Sequence, residues 1–179
     1  PCNFLNINEK NIIFEKIKKE NKKIDCLINN ASIVGDSKLS GWNEKFDNQS
    51  TESWKKCLEV NLTSVFEIVK KLKSSLSKGS NPNIINISSI YGVLAPNFNL
   101  YSSGKIYNPA AYSVSKSGLN YLTKWLASNL SPKIRVNSIS LGGIKRIQNK
   151  KFLNEYNKTT LLNRMCSEKD VHKTILFLS

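Results

Sequence analysis

A tyrosine and a lysine sit four residues apart in the stretch PAAYSVSKSGLN, residues 109–120. On a helix, positions i and i+4 share a face, with Cβ atoms roughly 5–6 Å apart. Tyr112 and Lys116 then point the same way, with Ser113 and Ser115 turned aside. An ammonium beside a phenol favours the phenolate and draws the tyrosine below its usual pKa near ~10. Such a phenol can act as a general acid or base. Taken alone, the pair is equally an ordinary exposed helix pair, so the surrounding elements must supply the rest of a site.

Those elements alternate. Residues 8–21 carry Ile12, Ile13 and Ile17 among lysines and glutamates, the pattern of an amphipathic helix. IDCLIN, residues 24–29, is a compact apolar run of the kind that forms a buried parallel strand. A polar loop from Ser32 to Ser50 follows. From Thr51, the residues Trp54, Leu58, Leu62, Val65, Phe66, Val69, Leu72 and Leu76 recur at helical steps until Gly79 and Pro82 end the run. NIINIS, residues 83–88, is the next strand. Pro109 suits the first turn of a helix that continues through Leu122 and Trp125 until Pro132 stops it. IRVNSIS, residues 134–140, is a third strand. The terminal ILFL reads as a helix or strand fragment.

Strands joined by helical crossovers predict an α/β fold with a parallel sheet. Ligands in such sheets bind outside the carboxyl ends of the strands. The polar tails NNAS, ISSIYG and SLGG all fall on that edge, which packing alone does not require.

LINNAS, VNLTS, INISSIYG, YSVSK and RVNSISLGGI, in this order from Leu27 to Ile144, resemble the single-domain branch of the short-chain dehydrogenase/reductase family. The resemblance implies a three-layer Rossmann-type fold, NAD or NADP as cofactor, and hydride exchange between an alcohol and a carbonyl on a small-molecule substrate. It implies Tyr112 as acid/base, with Lys116 lowering its pKa and binding the nicotinamide ribose. Ser89 would hydrogen-bond the reacting oxygen, and Asn61 would hold a water in the proton relay. Asn30 matches a position near the cofactor that also ties adjacent strands. Asn6 and Ile7, in FLNINEK at what resembles the end of the family's third strand, match positions beside the adenine. The backbone of Ile144 matches one that approaches the nicotinamide amide. The helix from Thr51 and the YSVSK helix match the family's oligomer surface, so a homodimer or homotetramer is expected.

The residues support these roles independently. A carbonyl gaining hydride develops negative charge that preorganised hydroxyls stabilise, and a proton must then arrive from a positioned group. Serines after a strand also serve as turn residues. Asn61 is the odd member, because helix interiors disfavour asparagine and a buried amide needs partners.

The sequence departs from the family in places. The family's opening strand and Gly-rich turn for the pyrophosphate have no counterpart, no glycine precedes Gly35, and the usual final strand is absent. The chain is expected to be the catalytic middle of a longer single domain, residues 1–179 being one partial unit. A non-catalytic remnant or interaction subunit is the alternative that this absence supports. Ser32 and Leu141 stand where the family has glycine and proline. A long gap separates Ser89 from Tyr112 and carries Tyr91, Tyr101 and Tyr107. It resembles members acting on surface sugars and flagellin, and also the extended branch that acts on nucleotide sugars. An aromatic, polar loop suits a sugar or polyol substrate.

Composition bounds the rest. Of 179 residues, 40% are hydrophobic and 22% charged, as in a globular domain. No apolar run reaches the ~18–20 residues of a membrane span, and a cytoplasmic location is expected. The +14 net charge lies almost wholly in dispersed lysines, which mark solvated faces rather than a nucleic-acid site. The four cysteines lack metal or disulfide spacing, with Cys26 and Cys57 read as buried thiols. His172 has no ligand-like company, so no metal is expected.

Overall fold

In the computed structural model, which describes residues 2–101, 107–148 and 150–179, three parallel strands form one sheet in the order β1–β2–β3. They are β1 Cys26–Asn29, β2 Asn83–Ser89 and β3 Arg135–Leu141. The register pairs Ile85 with both Ile28 and Asn137. Six α-helices are described: α1 Ile7–Glu20, α2 Thr51–Leu58, α3 Ser64–Leu76, α4 Ala110–Leu130, α5 Lys150–Lys158 and α6 Glu168–Leu178. All seven residues of β2 are buried, as a strand covered on both faces requires. On one face, Val69, Leu72 and Leu76 of α3 close with Leu126 and Leu130 of α4 over Ile84 and Val136. On the other, Ile85, Ile87 and Ile139 meet Ile175 and Leu178 of α6. Alternate strand residues thus feed opposite cores, and the three-layer α/β/α architecture matches the sequence reading. Among the described residues, no helix is long and apolar enough to cross a membrane.

Several local expectations need correction. The strand at 24–29 shortens to four residues, because the Ile24 backbone N–H bonds to Ser75 O instead. β1 is an edge strand in the described sheet, and Ile28 is 44% exposed rather than buried. Its Cys26 is only half-buried, whereas Cys57 is fully enclosed. Residues 4–5 form a turn, not a strand end, and Ile7 opens α1. Pro109 caps α4 from just outside, and Gln49 Oε1 accepts the Ala110 N–H there. The terminal ILFL belongs to α6, which starts at a Ser167–Asp170 capping box.

The long helix predicted from Thr51 is broken. Glu59–Thr63 forms a π-helical turn between α2 and α3, and Ser64 donates both its backbone N–H and its hydroxyl to Glu59 O. Single π turns inside helices often mark functional positions. A buried ammonium holds this one to α1: Lys10 pairs with Glu59 and lies 2.7 Å from Glu67. Burial by itself would lower the Lys10 pKa, but the two carboxylates outweigh it and raise the value. The ion cluster therefore contributes fully below the ordinary lysine pKa and is lost only as pH climbs through the raised one.

Removing one partner of a buried ion pair costs about 3–5 kcal/mol. Both glutamates remain about one-third exposed, so Lys10→Met is expected to lose less, about 2 kcal/mol, seen as a lower urea midpoint. An unchanged midpoint would show that water already replaces the cluster.

Candidate active site

The carboxyl ends of the strands open onto a cleft of about 740 Å³. Asn30 and Ser32 reach it from the segment after β1, Ser88 and Ser89 from the end of β2, and Gly142 to Ile144 from the segment after β3. The three polar tails singled out in the sequence meet here. Tyr112 and Lys116 join them from the first two turns of α4.

Lys116 is 3% exposed, and its Nζ donates to Ile87 O at 2.8 Å while lying 5.7 Å from the centre of the Tyr112 ring. The i, i+4 geometry thus does bring ammonium and phenol together, within cation–π range. Of its three donors, one is given to β2. Burial disfavours the ammonium and lowers the Lys116 pKa to about 8. Two further contacts dock α4 at this point: Ser88 Oγ donates to Lys116 O at 3.2 Å, and Gly92 presses on the same peptide. A Cβ on Gly92 would sit 2.7 Å from the Lys116 carbonyl carbon and oxygen, so only glycine allows the turn after β2 to approach this closely. Ser89 accepts the Tyr91 backbone N–H at 3.2 Å, which leaves its own hydroxyl proton available to a ligand.

Asn61 sits on the π turn and is 1% exposed. Its Oδ1 accepts the Ile33 N–H at 2.7 Å, and its Nδ2 donates to Ile33 O at 3.0 Å and to Ser115 Oγ at 3.0 Å, with Cys57 Sγ at 3.3 Å. The side chain is thus fully engaged by protein groups. It fixes the loop after β1 against α4. Ser115, expected to turn aside, is completely buried in this network and donates to Tyr112 O at 2.7 Å.

Other sequence candidates separate. Asn29, not Asn30, ties the strands: its Nδ2 donates to Asn86 Oδ1 at 2.8 Å, and Asn86 passes the chain to Thr123 Oγ1 at 2.9 Å. Asn30 is exposed at the cleft wall. Asn6 and Ile7 lie outside the cleft lining; Asn6 caps α1 by accepting from Asn8 and Glu9 N–H, and Ile7 is largely exposed. Ile144 does line the cleft, and a bridge to Cys166 is made by its neighbours, Gly143 O and Lys145 N. The N–H of Ile144 takes no part in that bridge. Tyr91 lines the cleft, but Tyr107 faces a separate hollow with Phe46 and Phe98. The Tyr101 side chain and residues 102–106 lie outside the described residues.

The family model for enoyl-(acyl carrier protein) reductase matches residues 1–179. Post-translational flagellin modification protein A of Campylobacter coli is 34% identical over 171 residues, covering 94% of this chain and 65% of that protein. A 3-oxoacyl-(acyl-carrier-protein) reductase of Thermotoga maritima is 30% identical over 174 residues, covering 93% and 63%. A solved short chain dehydrogenase from Leptospira borgpetersenii with bound NAD+ matches with a TM-score of 0.82 at 31% identity, covering 99% of this chain and 66% of that one. The chain belongs to the short-chain dehydrogenase/reductase family. It spans about 65% of the length of the curated relatives it matches.

In this short-chain dehydrogenase/reductase chain, sequence reasoning missed Ser115 and Tyr156. Ser115 carried no distinguishing signal beyond its place inside YSVSK. Tyr156 reaches the cleft from α5, a helix that the sequence reading did not mark.

The Lys116 charge gives a pH test. Between about pH 8 and the ordinary lysine value of 10.5 the unfolded chain binds the proton that the folded chain has lost, so this residue makes stability rise with pH across that window. Below it, the charged form carries its full burial cost. A 13C NMR titration of the Lys116 Cε is expected to show a midpoint near 8. A midpoint at the solvent value would mean that water reaches the ammonium.

Proposed function

We propose that the cleft interconverts an alcohol and a carbonyl with NAD or NADP. The observation that carries this reading is the buried Lys116 ammonium beside the Tyr112 ring, with Ser89 on the same cleft wall. The residues fit the nicotinamide half of such a cofactor: Lys116 retains donors for ribose hydroxyls, and the Ile144 backbone borders the same space. The cofactor, when bound, supplies or accepts the hydride. Ser89 donates a hydrogen bond from its hydroxyl to the substrate oxygen, keeping its own proton, and steadies that oxygen as negative charge develops. Tyr112 gives that oxygen a proton, or takes one in the reverse direction, and the Lys116 charge favours the phenolate. Asn61 keeps the wall in register through Ile33 and Ser115.

A sugar or polyol derivative is the substrate class we favour. Support comes from the polar rim of Asn30, Ser32, Asp36, Arg146 and Gln148, and from the likeness to a flagellin modification protein. The apolar inner lining of Ile87, Ile90, Ile144 and Phe152, with the likeness to a 3-oxoacyl reductase, makes an acyl thioester the competing class. Exposed Phe66, Tyr121 and Trp125 on α3 and α4 support a homo-oligomer, which sedimentation velocity measures directly.

In the full natural chain, Tyr112→Phe is expected to cut turnover by about 10²–10⁴-fold while leaving dinucleotide affinity within about twofold. Retained turnover would remove Tyr112 from the acid/base role. Assayed side by side, a panel of keto-sugars should be reduced faster than 3-oxoacyl thioesters. The opposite ranking would give the cleft to the acyl class.

A further inference from the structure

Tyr156 is a further phenol at the cleft, in addition to Tyr112 and Tyr91, and the chemistry above does not use it. It stands on α5 and is 6% exposed. Its hydroxyl accepts the Gly143 backbone N–H at 2.6 Å. The ring lies so close to the Gly142–Gly143 turn that a Cβ on Gly143 would sit 2.9 Å from its Cζ and 2.6 Å from Met165 Cε. Phe152, one turn earlier on α5, packs against Tyr156 with ring centres 5.8 Å apart and lines the cleft. On its other side the same turn is stitched down by Cys166, whose N–H donates to Gly143 O at 3.0 Å and whose carbonyl accepts from Lys145 N at 2.9 Å.

A turn of two glycines has no side chains of its own to hold it. Here it is held by a residue thirteen positions later in the chain. The segment it holds leads directly to Ile144, and the helix that holds it carries Phe152 of the cleft lining. The Gly143 N–H is half-buried, and leaving it without its acceptor there carries a cost, so the hydroxyl, and not the ring alone, is what holds the glycines.

We propose that Tyr156 is a positioning residue, a latch that joins α5 to the Gly142–Gly143 turn so that the Phe152 wall and the Ile144 backbone keep one spacing across the nicotinamide end of the cleft. The cofactor part of this inference rests on the function proposed above; the latch itself does not.

The test is Tyr156→Phe in the full natural chain, which keeps the ring and removes the acceptor. Amide exchange at Gly143 is expected to accelerate about tenfold, with faster exchange across 141–158 and none in β2 or α4. The KM for NAD(H) or NADP(H) should rise about tenfold, with kcat changing less than about threefold. Gly143→Ala, whose Cβ displaces the Tyr156 ring and hydroxyl together without removing either group, should reproduce the exchange pattern. Unchanged exchange at Gly143 in Tyr156→Phe would overturn the latch. Faster exchange throughout the chain together with a falling melting temperature would overturn it too, by making Tyr156 a general packing residue. Accelerated Gly143 exchange in a protein that binds neither dinucleotide would sustain the latch and reject the catalytic reading instead.

Discussion

Holding an ammonium away from water inside a sheet-and-helix junction is the constraint around which this molecule is built. Lys116 is buried at the point where α4 crosses the end of β2, and a pKa near 8 instead of 10.5 corresponds to a cost on the order of 3 kcal/mol for keeping the charge there. One carbonyl, Ile87 O, takes part of that charge. Everything near it serves the same junction: Ser88 ties down the Lys116 carbonyl, and Gly92 lets the following turn lie against the helix backbone. Moving α4 outward would solvate the lysine and relieve the cost. It would also remove the ammonium from the Tyr112 ring and open the packing of Leu126 and Leu130 over β2 and β3. The apolar core therefore supplies the free energy that holds a chemically useful but unfavourable charge in place.

The second fixed point is neutral. Asn61 satisfies both backbone groups of Ile33 and also reaches Ser115, so one amide joins the loop after β1, the π turn and α4. A half-satisfied amide at such depth would be a liability, whereas a complete network specifies one arrangement. The π turn exposes this side chain to the loop, and Lys10 braces the same turn from outside through Glu59 and Glu67. The two anchors, one charged and one neutral, converge on the same turns of α4 from different sides.

Across the cleft, α5 and the Gly142–Gly143 segment form the facing wall. A phenol, a thioether and two backbone hydrogen bonds hold it.

What the sequence by itself determined was local or periodic. The apolar runs at 83–88 and 134–140 became β2 and β3 nearly residue for residue, and the tyrosine–lysine spacing put both on one face of α4. The parallel sheet, with its polar strand tails collected at one edge, followed from the order of strands and helices. Asn61 could be flagged because a buried amide within a helix demands partners. Which partners it found only the tertiary structure decided, since Ile33 and Ser115 lie 28 and 54 residues away. The same holds for Asn29 taking the strand-tying role from its neighbour Asn30, a choice set by β-sheet register, where a shift of one residue reverses the face. The π turn needed a lysine from α1, and Tyr156 needed a glycine turn from the far end of β3. Side-chain periodicity is written in neighbouring letters; hydrogen-bond partners across a folded core are chosen by the geometry of packing, which no short stretch of the chain contains.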